Sequence, residues 1–241
     1  ISAWFKTSST GSNKVIVNRD TGASNRIWQI GVNSSNQVYV QFRGASTAQA
    51  TSPLTTYTDG KWHHVVAVYE PSVSVKLYID GDLVDTDSTS IPASLTDAAS
   101  TPLYIGAYSS FATQKFNGEI SNVAVYNTIL DASAISTLYN SGQPETAISS
   151  SPISWWKLDN TTTGIQDSGS ASNNGTNNGA TEIQTNVWTP RLNGESTTLP
   201  STALVSSDLQ FNSAYSSFSL DFDGTNDYVN GGVNTSLASA T

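Results

Sequence analysis

The sequence predicts an all-β protein: a two-sheet antiparallel sandwich with one short helix near 131–140. Three observations carry this. Short β-patterned runs recur along the chain, separated by Gly, Asn, Ser, Thr and Asp. The stretch Val75-Lys-Leu-Tyr-Ile-Asp-Gly-Asp-Leu-Val-Asp-Thr86 has the form of a two-residue hairpin, because Gly81 accepts the positive φ of a type I′ turn. Only one segment has helical spacing, and a single helix after many strands fits a sandwich.

The first strand begins at Ile1–Lys6, and Lys14–Asn18 follows. Asn25–Val32 and Gln37–Arg43 flank Asn33-Ser-Ser-Asn36, which reads as a turn. Val38, Val40 and Phe42 share one face of the second arm, and Tyr39, Gln41 and Arg43 the other. Asp59-Gly60 turns the chain into Trp62–Glu70, whose Trp62, His64, Val66 and Val68 share a face. Val73–Ile79 and Asp82–Thr86 make the hairpin, and Leu103–Gly106 and Glu119–Tyr126 are two more strands. Asp131 caps the helix, Ile135, Leu138 and Tyr139 recur at i, i+3 and i+4, and Gly142 ends it. Residues 143–152 form a Ser- and Pro-containing linker, and Ile153–Asp159 reads as a strand. Thr161–Ala180 is poor in apolar residues and reads as turns and loop. Thr185–Ala214 reads as a long polar connection, and Ser217–Val229 as a strand.

Composition removes several function classes. Charged residues make up 12% of the 241, and the net charge is −9 with ten Lys plus Arg. That balance argues against nucleic acid. No apolar run approaches the ~20 residues of a membrane span, so no membrane insertion is expected. Cysteine is absent, which excludes disulfides and thiolate chemistry. Methionine is absent even at position 1, so the chain reads as a processed product or part of a longer one.

Four motifs together resemble the laminin-G-like, concanavalin-A-like lectin-glucanase jelly-roll family. They are "DGKWHHVVAVYE" with "VKLYIDGDLV", Leu103–Gly142, "ISWWKLDN" through Thr181, and "SLDFDGTNDYV". In the order of that family, 153–241 comes first and 1–142 second, so the order here is circularly shifted. The resemblance implies a jelly roll in two blocks: 1–142 as its C-terminal two-thirds and 153–241 as its N-terminal strands. The second block completes either its own copy or the next. The segment from Trp188 to Val229 is also similar to modules in structural proteins of marine bacteriophages.

Candidate chemistry is sparse. Glucanases of this fold need alternating acids on one strand, and no strand carries Glu-x-Asp-x-x-Glu, so no enzyme activity and no catalytic residue are expected. Asp221 and Asp223 read as strand-end solvation. His63 and His64 are adjacent on a strand and point to opposite faces, so they do not chelate one metal. No cofactor is required. Asp223, Asn226 and Asp227 are oxygen ligands suited to Ca²⁺, with turn chemistry as the simpler account. The family's acidic ligand positions are replaced here by Ser121-Asn122. Trp28, Tyr57 and Tyr108 are candidate glycan contacts. Asn33, Asn160, Asn174 and Asn234 sit in N-glycosylation sequons.

The expected function is a non-enzymatic structural and adhesive subunit of an extracellular fibre or virion appendage. Its partners would be copies of itself, joined by β-strand complementation through Leu220, Phe222 and Tyr228. The alternative is a monomeric, lectin-like carbohydrate-binding module for cell-surface glycans.

Overall fold

The computed structural model describes residues 1–20, 26–96, 101–108, 113–144, 147–148, 150–159, 161, 164–184 and 218–233. In chain order the strands of the first half are β1 (Ser2–Lys6), β2 (Lys14–Asp20), β3 (Arg26–Val32), β4 (Val38–Arg43), β5 (Thr47–Thr51), β6 (Trp62–Glu70), β7 (Ser74–Ile79) and β8 (Asp82–Asp87). There follow β9 (Pro102–Ile105), β10 (Asn117–Val125) and helix α1 (Ala132–Tyr139). The remaining strands are β11 (Ser154–Trp156), β12 (Thr176–Asn178), β13 (Thr181–Gln184), β14 (Phe218–Asp223) and β15 (Tyr228–Val233).

They form two antiparallel sheets that pack as a concanavalin-A-like jelly roll. One has the order β13-β14-β10-β1-β6-β7-β8, with β11 also paired to β10. The other has the order β12-β15-β9-β2-β3-β4-β5. Both blocks of sequence therefore contribute to both sheets. β14 lies between β13 and β10, and β15 between β12 and β9, all in one chain. Leu220, Phe222 and Val229 enter the same buried core as Ile30, Val40, Leu77 and Ile105.

Strand periodicity explains most of the core. Val38, Val40 and Phe42 face inward, as do Ala48 and Ala50 on β5, a strand the apolar pattern does not announce. β6 departs from the simple alternation. Val65 and Ala67 join the inter-sheet core, while Val66 and Val68 belong to a second cluster with Tyr126, Ile135, Leu138 and Trp155. Helix α1 covers the outer face of that sheet, so this strand is apolar on both sides. Asp131 caps the helix by accepting from the Ala134 N–H (2.8 Å). The helix stops earlier than Gly142: Asn140 takes the left-handed conformation and a single 3₁₀ turn follows. The Asp80-Gly81 turn has φ of 54° and 89°, the type I′ pattern.

Two expectations are corrected. Ile153–Asp159 yields only the three-residue β11, and 161–180 is not all loop, because β12 pairs with β15. β10 bulges at Ser121–Asn122, where the pairing to β1 slips by one residue and Asn122 has φ 50°. The bulge divides β10: its first half pairs with β14 and its second with β11. Asn122 Oδ1 accepts from the Trp155 indole (3.0 Å), and Ser121 Oγ donates to the Lys157 carbonyl (3.2 Å). These two residues are thus structural partners of β11.

Candidate functional site

The outer face of the seven-stranded sheet carries a continuous polar row. Cross-strand registers place Thr176 beside Asn230, then Tyr104, Asn18, Gln29, Gln41 and Gln49. The row crosses every strand, with neighbours about 4.8 Å apart along the hydrogen-bonding direction. It exists because each inward apolar residue forces a polar one outward: Val17, Ile30 and Val40 sit in the core beside Asn18, Gln29 and Gln41.

The centre and the flanks of the row differ. At the middle, Asn18 Nδ2 donates to the Ala107 carbonyl (2.9 Å) and Gln29 Nε2 reaches Gln114 Oε1 (3.4 Å). Gln29 Nε2 also donates to the Tyr39 hydroxyl. Asn18 Oδ1 and Gln29 Oε1 are buried acceptors that no donor among the described residues reaches. On one flank Tyr104 and Tyr228 are half-buried and meet edge to face (6.1 Å between centroids), with Asn230 and Thr176 beside them. Burial raises the Tyr104 pKa, and Tyr228 beside it adds to that, so the Tyr104 phenol stays protonated at neutral pH. The other flank offers Gln41 and Gln49, joined at 3.0 Å.

Arg26, a cation resting on this face, is neutralised. Arg26 Nε donates to Asp20 Oδ2 (3.1 Å), Nη1 donates to Gln41 Oε1 (2.8 Å), and the guanidinium lies 5.2 Å from the Tyr108 ring centre. The face therefore combines aromatic edges with amide donors and acceptors and little net charge. Such a surface suits a hydroxyl-rich, uncharged ligand.

Of the three aromatics singled out from sequence, only Tyr108 belongs to this surface. Trp28 and Tyr57 are corrected: both are buried in the core, 4% and 9% exposed, and neither offers a ring face for stacking. Trp28 faces inward on β3 and reaches only the wall of a narrow cleft of about 100 Å³, beside Phe42 and Tyr69. Tyr104 and the amide row were not visible in advance, since their relation depends on six strand pairings. Tyr228, expected to act in strand exchange, stands on the outer face within its own chain.

The other candidates have structural partners of their own. Asp223 Oδ1 accepts from the Thr225 and Asn226 N–H groups (2.6 and 3.4 Å), and Asp227 Oδ2 accepts from the Asp223 N–H (3.0 Å). Those oxygens thus shape the Gly224 turn. Among the described residues no group of three His, Cys, Asp or Glu could hold a metal ion. Asp221 faces Glu119 across β14 and β10, and burial followed by repulsion from Glu119 raises its pKa. Glu119 is itself engaged by Lys6 (2.6 Å) and the Ser219 hydroxyl (3.0 Å). Asn33 organises its own turn by accepting from the Ser35 and Gln37 N–H groups. Asn174 is exposed and accepts from the Asp167 N–H, while Asn160 and Asn234 lie outside the described residues.

The histidines do point apart. His64 is buried, stacks on Trp4 (4.9 Å) and contacts Ser2 Oγ through Nε2 (2.8 Å); burial lowers its pKa to about 3, so it is neutral. His63 lies between two carboxylates, with Nδ1 2.8 Å from Asp80 and Nε2 3.1 Å from Asp59. Burial alone would lower its pKa, but the two carboxylates outweigh it and the net shift is upward from 6.5. Both ring nitrogens face acceptors, an arrangement only the imidazolium satisfies. A group with a raised folded pKa stabilises fully below its unfolded value, and that stabilisation is lost as pH rises through the folded value. Thermal stability should therefore fall as pH is raised from about 6.5 through the folded pKa. His63→Gln should flatten that slope, which a melting series against pH reads directly.

The fold is a β-sandwich of the concanavalin-A-like kind. The model of the concanavalin A-like lectin/glucanases superfamily matches residues 1–136, more than half of the chain, and the chain belongs to that superfamily. No curated protein matches it. Among solved structures it is similar to a heptameric SAP-like pentraxin from Limulus polyphemus, at 17% identity over 57% of this chain and 67% of that one, with a TM-score of 0.45. It is also similar to the CBM40 of a Ruminococcus gnavus IT-sialidase bound to α2,3-sialyllactose, at 12% identity over 57% and 80%, with a TM-score of 0.43. A third is the binding domain of Paraclostridial Mosquitocidal Protein 1, at 18% identity over 58% of this chain and 36% of that chain, with a TM-score of 0.42. No helix among the described residues is long and apolar enough to cross a membrane.

Proposed function

We propose that this chain is a non-enzymatic, glycan-binding adhesive module of an extracellular or virion-surface structure. The observation that carries the reading is the row of amides on the outer face of the seven-stranded sheet, flanked by Tyr104 and Tyr228. Phenol rings present flat apolar faces to the C–H faces of a pyranose, and amides pair with its hydroxyls as donor and acceptor. The neutralised Arg26 and the overall charge of −9 favour neutral over polyanionic glycans. Absence of catalysis is part of the proposal, supported by the engagement of Glu119 by Lys6 and Ser219 and of Asp223 by its own turn.

A glycan array followed by calorimetry on the best ligand tests it. Tyr104→Ala and Tyr228→Ala should each weaken binding by roughly 10-fold, the scale of one lost stacking partner at about 1.4 kcal/mol. Binding unchanged in both variants, or no glycan bound at all, sinks the reading.

Self-assembly by strand complementation is the second reading. It is favoured by one feature: transfer of β14 to a neighbouring copy would preserve every register pair with β13 and β10. A head-to-tail series of such transfers would make the fibre or virion appendage expected from sequence.

A further inference from the structure

We infer that Asp85 and Asp87 keep the β5–β8 edge of this chain from pairing with a second copy. β5 ends one sheet and β8 ends the other on the same side of the sandwich. The sequence of β5, Thr-Ala-Gln-Ala-Thr, has no charge and no proline, so it carries none of the usual protection of an edge strand. Two of its outward N–H groups, those of Gln49 and Thr51, would be open donors for an incoming strand.

They are taken by side chains of the opposite sheet. The Gln49 N–H donates to Asp87 Oδ2 (2.9 Å), and the Thr51 N–H donates to Asp85 Oδ2 (2.7 Å). The second oxygen of each carboxylate is fixed as well, accepting from the Thr89 and Thr86 N–H groups at 2.8 Å. A bulge aims them. Register against β7 slips by one residue between Leu83 and Asp85, so Val84 packs against the core while Asp85 and Asp87 sit opposite the inward-facing Leu77 and Val75. Inward-pointing charges of this kind block edge-to-edge pairing, because a strand arriving at β5 must displace a carboxylate from each donor. The far edges need no such device, since β12 and β13 are only three and four residues long.

The test is the solution mass of the full chain across a dilution series, with circular dichroism to verify the fold. Wild type and Asp85→Asn/Asp87→Asn, which keeps an acceptor oxygen at each site, should hold at 25.5 kDa throughout. Asp85→Ala/Asp87→Ala should gain mass with concentration, and adding Gln49→Pro, which removes one edge donor, should reverse the gain. If the double alanine variant does not fold, Asp87→Ala alone is measured in the same way. A folded alanine variant that stays at 25.5 kDa overturns the inference, as does association that survives Gln49→Pro or that wild type shows equally.

Discussion

Phe222→Ala should destabilise the isolated chain by about 3–5 kcal/mol, the cost of emptying a buried aromatic site. Phe222 is fully buried on β14 and rests on Gly106, where an added Cβ would fall 2.3 Å from its ring. Gly106 has φ +82°, so the chain both turns there and leaves room for the ring. Little can collapse into the space, because one side is backbone. At roughly 3 °C per kcal/mol for a domain of this size, melting should drop by about 10 °C. The measurement also decides where the C-terminal strand belongs. If β14 completes its own sandwich, the loss is the same at every protein concentration. If it completes a neighbour, dilution of wild type should itself lower the melting temperature, and Phe222→Ala should leave the dilute chain unchanged.

Local signals made much of the fold readable, and non-local ones did not. The Asp80-Gly81 turn and the Asp131 cap are decided within four residues, and the sequence expectation for each agrees with the structure. β5 was invisible because its inward residues, Ala48 and Ala50, are small, and its strand character comes from pairing with β4. β12 is Thr-Asn-Asn, a turn composition, and becomes a strand only against β15, more than 50 residues later. Val66 and Val68 do share a face of β6, as expected, but apolar residues on both faces hide which one meets the inter-sheet core, and α1 buries theirs on the outside. The candidate site was less readable still. Aromatic type points to Trp28 and Tyr57, but Trp28 takes the inward phase of β3 and Tyr57 sits in a 3₁₀ turn at Thr56–Thr58, and both are buried. The row from Thr176 to Gln49 joins residues from position 18 to position 230, and no window of sequence contains it.

Asp167→Ala should cost about 3 kcal/mol, although it lies in a stretch whose composition suggests only loop. Its carboxylate gathers three backbone donors: Oδ1 accepts from Trp155 N–H (2.7 Å) and Gly169 N–H (2.8 Å), and Oδ2 accepts from Asn173 N–H (2.8 Å). Bonds to a charged acceptor contribute roughly 1.5–3 kcal/mol each, and a donor left unpaired away from water costs more than one released to solvent. The Trp155 N–H belongs to a buried residue of β11, whereas Gly169 and Asn173 lie partly in solvent, so the first bond should dominate. The same loop holds Trp156, which is fully buried and donates from its indole to the Asn173 carbonyl (2.8 Å). Losing Asp167 thus frees the segment that clamps a core tryptophan. Near-ultraviolet dichroism should lose tryptophan signal along with stability in urea, and Asp167→Asn, which retains one acceptor oxygen, should recover roughly half of the loss. A change below about 0.5 kcal/mol, the range of an ordinary surface substitution, would mean that β11 is held by its pairing with β10 and by Asn122 rather than by this carboxylate.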